Sequence, residues 1–467
     1  MPHLYIAAAH KSSGKTTVAI GLTGAMVKRG LEVQPFKKGP DYIDPLWLSR
    51  AAGRPCYNLD FYTQSHEEIF AMFASKLGET GIGLIEGNKG LFDGIDVDGS
   101  DSNAALASML GAPVILVIDA AGITRGVAPL IQGYMNFDPN VNIAGVILNN
   151  VGGARHESKL CAALERYTDA EVLGAIGRDA AFNIPERHIG LIPANEASGQ
   201  GHADTMISRL TFAVSVGVNL DRVVEIAKAA EIPAKVKAAA SQSATVSTGV
   251  KPDVRIAIAR DAAFGFYYPD DLEAFERAGA ELIPFDTLND KHLPEADGLF
   301  IGGGFPETQL KALAANKSLL KEIREALEAG KPTYAECGGL MYLTRSINWS
   351  DESAKMVGAV PADSVVGVRP QGRGYMMLRE TPDCPWKQAS GSDGSTDIPA
   401  HEFHYARLRN YDKDALFAHS VVRGTGIDGL RDGLVINNLM AGFAHHRHTA
   451  INPWVDRFVA FVREKAA

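Results

Sequence analysis

"LYIAAAHKSSGKTTVAIGLTGAMVKRG" occupies residues 4–30. It opens on an apolar run, passes through a small, polar and basic turn, and continues as an amphipathic helical stretch. Strand, loop and helix in that order are the context in which a Gly-Lys-Thr triplet holds phosphates. Backbone amides of Ser12, Ser13 and Gly14 and the helix N-terminus would cradle an anion. Lys15 would neutralise the β/γ oxygens of a nucleoside triphosphate. The hydroxyls of Thr16 and Thr17 follow, with Thr16 placed to join a Mg²⁺ shell. The first glycine of the full phosphate-loop pattern is replaced by Ala9.

The same alternation continues outward. "LIEG", "PVILVIDA", "AGVILNNV" and "HIGLIPA" are short apolar runs separated by longer amphipathic stretches such as "NAALASML". That rhythm predicts a parallel sheet covered by helices on both faces. From Ala234 the pattern stops, and "AKVKAAASQSATVSTGVKPD" reads as a linker. A second α/β series follows in "VRIAIARD", "AELIPFD", "GLFIGGG" and "PTYAECGG", and residues 356–409 are expected to add strands to its sheet. The predicted division is a phosphate-loop domain over 1–233, a linker over 234–252 and a second α/β domain over 253–467.

Composition sets the bounds. A chain of 467 residues, 46% hydrophobic and 22% charged, suffices for two cores. A net charge of −9 argues against a nucleic-acid surface. No apolar run reaches bilayer length, and the N-terminus lacks a basic leader, so neither a membrane partner nor a signal peptide is expected. Cys56, Cys161, Cys337 and Cys384 are scattered without a C-x-x-C pair, which fits a reducing cytoplasm.

Two acidic motifs follow strands of the first half, where open α/β sheets bind ligands. "FKKGPDYID" spans residues 36–44 and "IEGNKGLFDG" spans 85–94. Asp41 and Glu86 are the candidates to hold Mg²⁺ with Thr16, since hard cations take oxygen ligands. Lys37, Lys38 and Lys89 are further cations for phosphate or for a carboxylated substrate.

In the second half, "YAECGGLMYL" (334–343) sets a thiol between an apolar strand and two glycines, in the manner of a nucleophile elbow. Ala335 stands where such elbows usually carry glycine. A helix starting at Gly338 would favour the thiolate of Cys337. Gly303 and Gly304 of "IGGGFPE", with Gly338, are the candidates for the oxyanion site. "AGFAHHRHTAINP" (441–453) offers three histidines as the base. In "PAHEFHYARL" (399–408) the histidines lie on a strand without a third ligand, so a structural role is preferred to a metal site.

These stretches, with "PERHIGL", "FYYPDDLE" and "HEFHY", occur in the order seen in the cobyrinate a,c-diamide synthase family, which the chain resembles from Leu4 to Pro453. The resemblance implies an ATPase domain similar to dethiobiotin synthetase, followed by a class I glutamine amidotransferase domain. It implies amidation of the a and c acetate groups of a tetrapyrrole through an acyl phosphate, with ammonia released from glutamine at Cys337. Asp41, Tyr42, Ile43, Glu86 and Asp93 carry over as residues for substrate or intermediate. The base is His445 if aligned on "GFAH" and His446 if aligned on "HTAINP", and no acidic third member is evident. "PERHIGL" is expected to open a strand at the far edge of the first sheet.

Cobyrinate, or its cobalt-free counterpart hydrogenobyrinate, is the expected substrate, with sirohaem or (nickel) sirohydrochlorin the alternative. A homodimer is left open. A switch ATPase is the reading from another class, but Lys11 is misplaced for its second lysine and such proteins lack a thiol-bearing second domain.

Overall fold

The computed structural model describes residues 1–78, 81–179, 182, 184–187, 190–196, 200–243, 251–386 and 396–466. The chain divides into two compact units, Met1–Val246 and Ser247–Ala467.

In the first unit strands and helices alternate: β1 (His3–Ala8), α1 (Lys15–Lys28), β2 (Val33–Lys38), α2 (Ile43–Ala52), β3 (Tyr57–Leu59), α3 (His66–Leu77), β4 (Ile82–Glu86), α4 (Asn103–Leu110), β5 (Val114–Asp119), α5 (Val127–Phe137), β6 (Ile143–Val151), α6 (Ala154–Tyr167) and β7 (Val172–Gly177). The strands form a seven-stranded sheet in the order β3-β2-β4-β1-β5-β6-β7, parallel throughout. Every residue of β1 is buried, as a strand covered on both faces requires. Helix starts follow local chemistry. At α3, Ser65 accepts from the Glu68 amide at 3.2 Å while Glu68 accepts from the Ser65 amide at 2.8 Å, a reciprocal cap.

Beyond β7 the structure departs from the sequence pattern. "HIGLIPA" contributes only β9 (Gly190–Leu191), which pairs with β8 (Glu186–Arg187) in a separate two-stranded ribbon, so "PERHIGL" is not an edge strand of the main sheet. Residues 188 and 189 lie outside the described residues. The seventh strand is β7 instead, whose "VLGAIG" is interrupted by two glycines and gives a weak apolar signal. α7 (Gln200–Gly217) and α8 (Leu220–Lys228) come next. α7 lies against α1, where a Cβ at Gly21 would stand 2.8 Å from the Leu210 carbonyl oxygen and one at Gly24 2.1 Å from Thr211 Oγ1. That covering explains why Val18 to Met26 are all buried in a helix expected to show a solvent face. The start of the expected linker is α9 (Ala234–Ser243), docked on α3 with Val236 fully buried. Residues 244–250 of that linker lie outside the described residues.

The second unit contains β10 (Val254–Ala259), β11 (Phe264–Phe266), α10 (Pro269–Arg277), β12 (Ala280–Phe285), β13 (Gly298–Ile301), β14 (Gly303–Gly304), α11 (Leu310–Ala315), α12 (Lys317–Glu328), β15 (Thr333–Glu336), α13 (Gly338–Leu343), β16 (Thr344–Trp349), β17 (Glu352–Lys355), β18 (Val360–Val366), β19 (Gly372–Glu380), β20 (Asp397–His404), β21 (Ala406–Arg409), β22 (Leu416–Arg423), β23 (Arg431–Ile436), β24 (Leu439–Gly442) and α14 (Trp454–Ala466). Its main sheet has nine strands in the order β12-β10-β13-β15-β24-β23-β22-β19-β20. The first five run parallel, and from β24 onward neighbours are antiparallel. Residues 356–409 therefore split. β19 and β20 extend the main sheet, whereas β18 and β21 join β16 and β17 in a separate four-stranded sheet.

β15 is the strand that matters for chemistry. Ala335 is in register with Ile301 of β13 on one side and Ala441 of β24 on the other. The segments that follow these strands, "GGGFPE", "CGGLMYL" and "FAHHRH", must therefore emerge side by side. Among the described residues no helix is long and apolar enough to cross a membrane.

Candidate functional site

In the first unit the charges gather at the C-terminal ends of β1, β4 and β2, three neighbouring strands. The turn after β1 is built for backbone exposure. Ser12 and Gly14 adopt left-handed φ values of 65° and 82°. Gly14 is required sterically too, because a Cβ there would lie 2.0 Å from Asn149 Nδ2. Three hydrogen bonds fix the turn: Ser13 Oγ to the His10 carbonyl at 2.8 Å, Thr17 Oγ1 to the Gly14 carbonyl at 2.7 Å, and Asn149 Nδ2 to the Ser13 carbonyl at 3.0 Å. Asn149 is the first asparagine of the "VILNN" run of β6, and nothing in its spacing marked it as a loop-holding residue.

Around that turn lie two lysines and three carboxylates. Lys37 is buried, with Nζ 2.5 Å from Asp44 Oδ2, 3.2 Å from Glu86 Oε1 and 3.7 Å from Asp41 Oδ2. Lys15 Nζ is 3.4 Å from Glu86 Oε1. Thr16 Oγ1 donates to Glu86 Oε1 at 2.5 Å and to Asp44 Oδ2 at 3.2 Å. Burial opposes the charge on Lys37, but Asp44, Glu86 and Asp41 outweigh it and raise its pKa. Burial also disfavours an ionised Asp44, yet Lys37 and Lys15 hold its carboxyl below the usual range. Asp41 goes the other way, pushed up by burial and by the Asp44 charge.

The grouping differs from the expected one in one member. Asp44, not Asp41, touches Thr16. Asp41 turns its Oδ1 onto the Ile43 and Asp44 amides at 2.9 and 3.1 Å, which starts α2. The sequence held the clue, since Asp44 lies three residues beyond Asp41 in the same motif. Tyr42 and Ile43 form the entry to α2. Asp93 Oδ2 accepts from the Gly90 amide at 2.9 Å. Glu86 Oε2 is buried without a hydrogen-bond partner. With Thr16 and Asp44 beside it, that open oxygen makes an all-oxygen donor set suited to Mg²⁺.

In the second unit Cys337 occupies the turn from β15 to α13 with φ 48° and ψ −100°, a conformation that side-chain-bearing residues avoid. Its amide donates to the Gly442 carbonyl at 2.7 Å. The following glycines are sites of close approach: a Cβ at Gly338 would lie 2.8 Å from the Gly304 carbonyl oxygen, and one at Gly339 2.1 Å from that of Ile301. At Gly303 a Cβ would lie only 2.6 Å from His445 Cε1. The three glycines expected near the thiol are thus gathered around it.

His445 is the histidine brought to Cys337. The two side chains are hydrogen bonded, and His445 Nδ1 lies 3.4 Å from Glu336 Oε2. Burial opposes its protonation, but the Cys337 sulfur and the Glu336 carboxylate outweigh that and lift its pKa to about 10. His446 faces elsewhere, with Nδ1 3.3 Å from Asn452 Nδ2 and its ring against His419 and Tyr334. Burial drives its pKa well below the ordinary value. The loop carrying both is anchored by Arg447, whose Nε and Nη2 each lie 3.1 Å from Asp270 Oδ2, and by the His448 amide on Asp271 at 2.9 Å. The "YYPDD" stretch at the start of α10 thereby has its use.

"HEFHY" backs the site structurally. The His401 ring stacks on His445 with centroids 4.8 Å apart, and the two residues form a backbone bridge. His404 turns onto the Ala406 carbonyl at 2.7 Å. Elsewhere in this unit Glu380, Cys384 and His419 offer ligand atoms within 4.8 Å of one another. Glu380 is already paired with the Arg457 guanidinium, whose charge opposes a cation there.

Comparisons with known proteins divide the chain in the same way. Residues 4–192 match the CobQ/CobB/MinD/ParA nucleotide binding domain, and residues 255–452 match the CobB/CobQ-like glutamine amidotransferase domain. A cobyrinate a,c-diamide synthase of Magnetococcus marinus is 44% identical over 470 residues, covering 100% of this chain and 98% of the relative. Those of Methanosarcina acetivorans and Archaeoglobus fulgidus are 41% and 37% identical, covering 95% and 100% of this chain and 92% and 98% of their own lengths.

Proposed function

Since the chain belongs to the cobyrinate a,c-diamide synthase family, we propose that it converts the a and c acetate carboxylates of cobyrinate to amides, consuming ATP and glutamine. It is a glutamine-dependent amidotransferase ligase. The observation that carries the finer reading is that one chain holds two complete sets of groups: a phosphate turn with Lys15, Thr16, Asp44 and Glu86, and a Cys337–His445 pair on an elbow.

At the first set a substrate carboxylate attacks the γ-phosphorus of ATP, giving an acyl phosphate and ADP. The turn amides and Lys15 hold the phosphates, and Lys37 balances the carboxylates around them. Magnesium, held by Thr16, Asp44 and Glu86, would supply further neutralisation of phosphate charge. At the second set His445 holds the proton given up by the Cys337 thiol, and the sulfur attacks the glutamine amide. Gly303, Gly304 and Gly338 allow backbone donors close to the developing oxyanion. Protonated His445 gives its proton to the leaving nitrogen, releasing ammonia, and water then frees glutamate from the thioester. Ammonia displaces phosphate from the acyl phosphate to form the amide. We place this chemistry in the cytoplasm, whose reducing conditions suit a reactive thiol at Cys337.

The test is to give the purified protein ATP, Mg²⁺ and glutamine with cobyrinate or sirohaem in parallel and read the product masses. Diamidated cobyrinate is expected. Amidation of sirohaem alone would move the substrate and leave the chemistry, while no amidation of either overturns the reading.

A further inference from the structure

We infer that Glu336 is the positioning residue of the glutaminase, holding the His445 imidazole by its Nδ1 so that Nε2 works on the thiol. This rests on the reading of Cys337 as the glutaminase nucleophile.

The segment that carries the base supplies no carboxylate for this task. Two residues beyond His445 stands Arg447, committed to Asp270. Asp271 is likewise committed, to the His448 amide and to Trp454 Nε1 at 3.1 Å. Glu336 comes from the other side, as the residue just before the nucleophile. Along a regular strand neighbouring side chains point to opposite faces. The left-handed turn at Cys337 breaks that alternation, and both residues meet the same ring.

Its two oxygens are used differently. Oε1 accepts from Tyr334 Oη at 2.7 Å and from the His446 amide at 3.0 Å. Those bonds fix the carboxylate and leave Oε2 facing His445 Nδ1 at 3.4 Å. The whole group is buried, so its charge acts in a medium of low polarity. A carboxylate against Nδ1 selects the tautomer protonated there and stabilises the imidazolium that forms on proton transfer. The stacked His401 ring confines the imidazole from the side and carries no charge of its own, because burial drives its pKa down.

Glu336→Gln preserves size and an oxygen for Tyr334 and His446, but can present an N–H to Nδ1. Glutamine hydrolysis by Glu336→Gln should fall about 100-fold in kcat with KM for glutamine within about threefold, while ammonia-driven amidation stays at the parent rate. Glu336→Asp, which keeps the charge, should lie between the two. Full kcat in Glu336→Gln, or equal loss of glutamine- and ammonia-driven amidation in a folded variant, overturns the assignment. Should Glu336→Gln not fold, Tyr334→Phe decides: a several-fold drop in glutaminase kcat is expected, and an unchanged kcat overturns. Cys337→Ala measured alongside separates the two readings. If it still hydrolyses glutamine, the nucleophile is wrong; if it is dead and Glu336→Gln is fully active, only the role of Glu336 falls.

Discussion

Lys37 and Glu86 face each other in register on β2 and β4, with Lys37 Nζ 3.2 Å from Glu86 Oε1 and both side chains removed from solvent. A lone ammonium could not be buried so deeply, and a lone carboxylate would be expensive beside it. The pair exists because Asp44, Asp41, Lys15 and Thr16 complete the balance.

Lys37→Met should therefore destabilise the protein by about 3–5 kcal/mol, the usual result of stripping one partner from a buried ion pair. Thermal unfolding measures it. The double variant Lys37→Met, Glu86→Gln should lose less than the sum of the singles, because each removal relieves the other. Additive losses would mean that the two charges do not depend on one another.

Cys337→Ala is expected to lose amidation driven by glutamine and to retain amidation driven by high ammonia. Lys15→Ala is expected to lose both by at least about 100-fold, since activation of the carboxylate precedes either nitrogen source. Steady-state rates with the two donors separate these patterns. Ammonia-driven turnover in Lys15→Ala would remove the acyl phosphate from the mechanism.

His445 and His446 should part company by substitution. His445→Gln is expected to cut glutaminase kcat by about 100-fold or more. His446→Gln should stay within about tenfold, its side chain being occupied with Asn452 and the rings of Tyr334 and His419. Equal losses would return the base to an open question.

The pH dependence of stability follows from the same contact. His445 is lifted from an ordinary value of 6.5 to about 10 in the folded protein, so its protonated form contributes fully below pH 6.5 and that contribution is lost as the pH rises toward 10. The melting-temperature gap between the parent and His445→Gln should narrow from pH 6 to pH 10. A gap that widens over that range would show that the imidazolium is not what the fold stabilises.

The backbone at Cys337 gives an independent measurement. Its φ of 48° with ψ −100° costs about 1–3 kcal/mol for a side-chain-bearing residue, against about 0.4–1 kcal/mol of extra unfolded-state freedom for glycine. Cys337→Gly should accordingly melt above Cys337→Ala. The reverse order would mean that the turn is unstrained.

How far these features could be read in advance depended on whether the signal was local. The phosphate turn, the elbow thiol and the two α/β series were legible because strand, turn and helix lie consecutively in the chain. The choice between His445 and His446 was not, because neighbours in sequence differ here only in which core they enter. Asp44 was hidden behind Asp41, whose carboxylate is spent on starting α2. Glu336 was passed over because strand alternation points it away from Cys337, and only the left-handed turn reverses that. β7 was missed for its glycines; a Cβ at Gly174 would lie 2.1 Å from the Gly217 carbonyl oxygen, so backbone approach rather than an apolar side chain decides that position.

The adjacency of Glu336 and Cys337 also simplifies what must be aligned. A single peptide unit joins the sulfur to the carboxylate, so drift of β15 carries the two together. Only the imidazole is delivered from a different segment, and that segment is held by the Arg447–Asp270 clamp, which ties the loop after β24 to the start of α10. Loosening that clamp would detune the relay from one end while leaving the elbow intact, which makes an arginine two residues beyond the imidazole the adjusting screw of the thiol's reactivity.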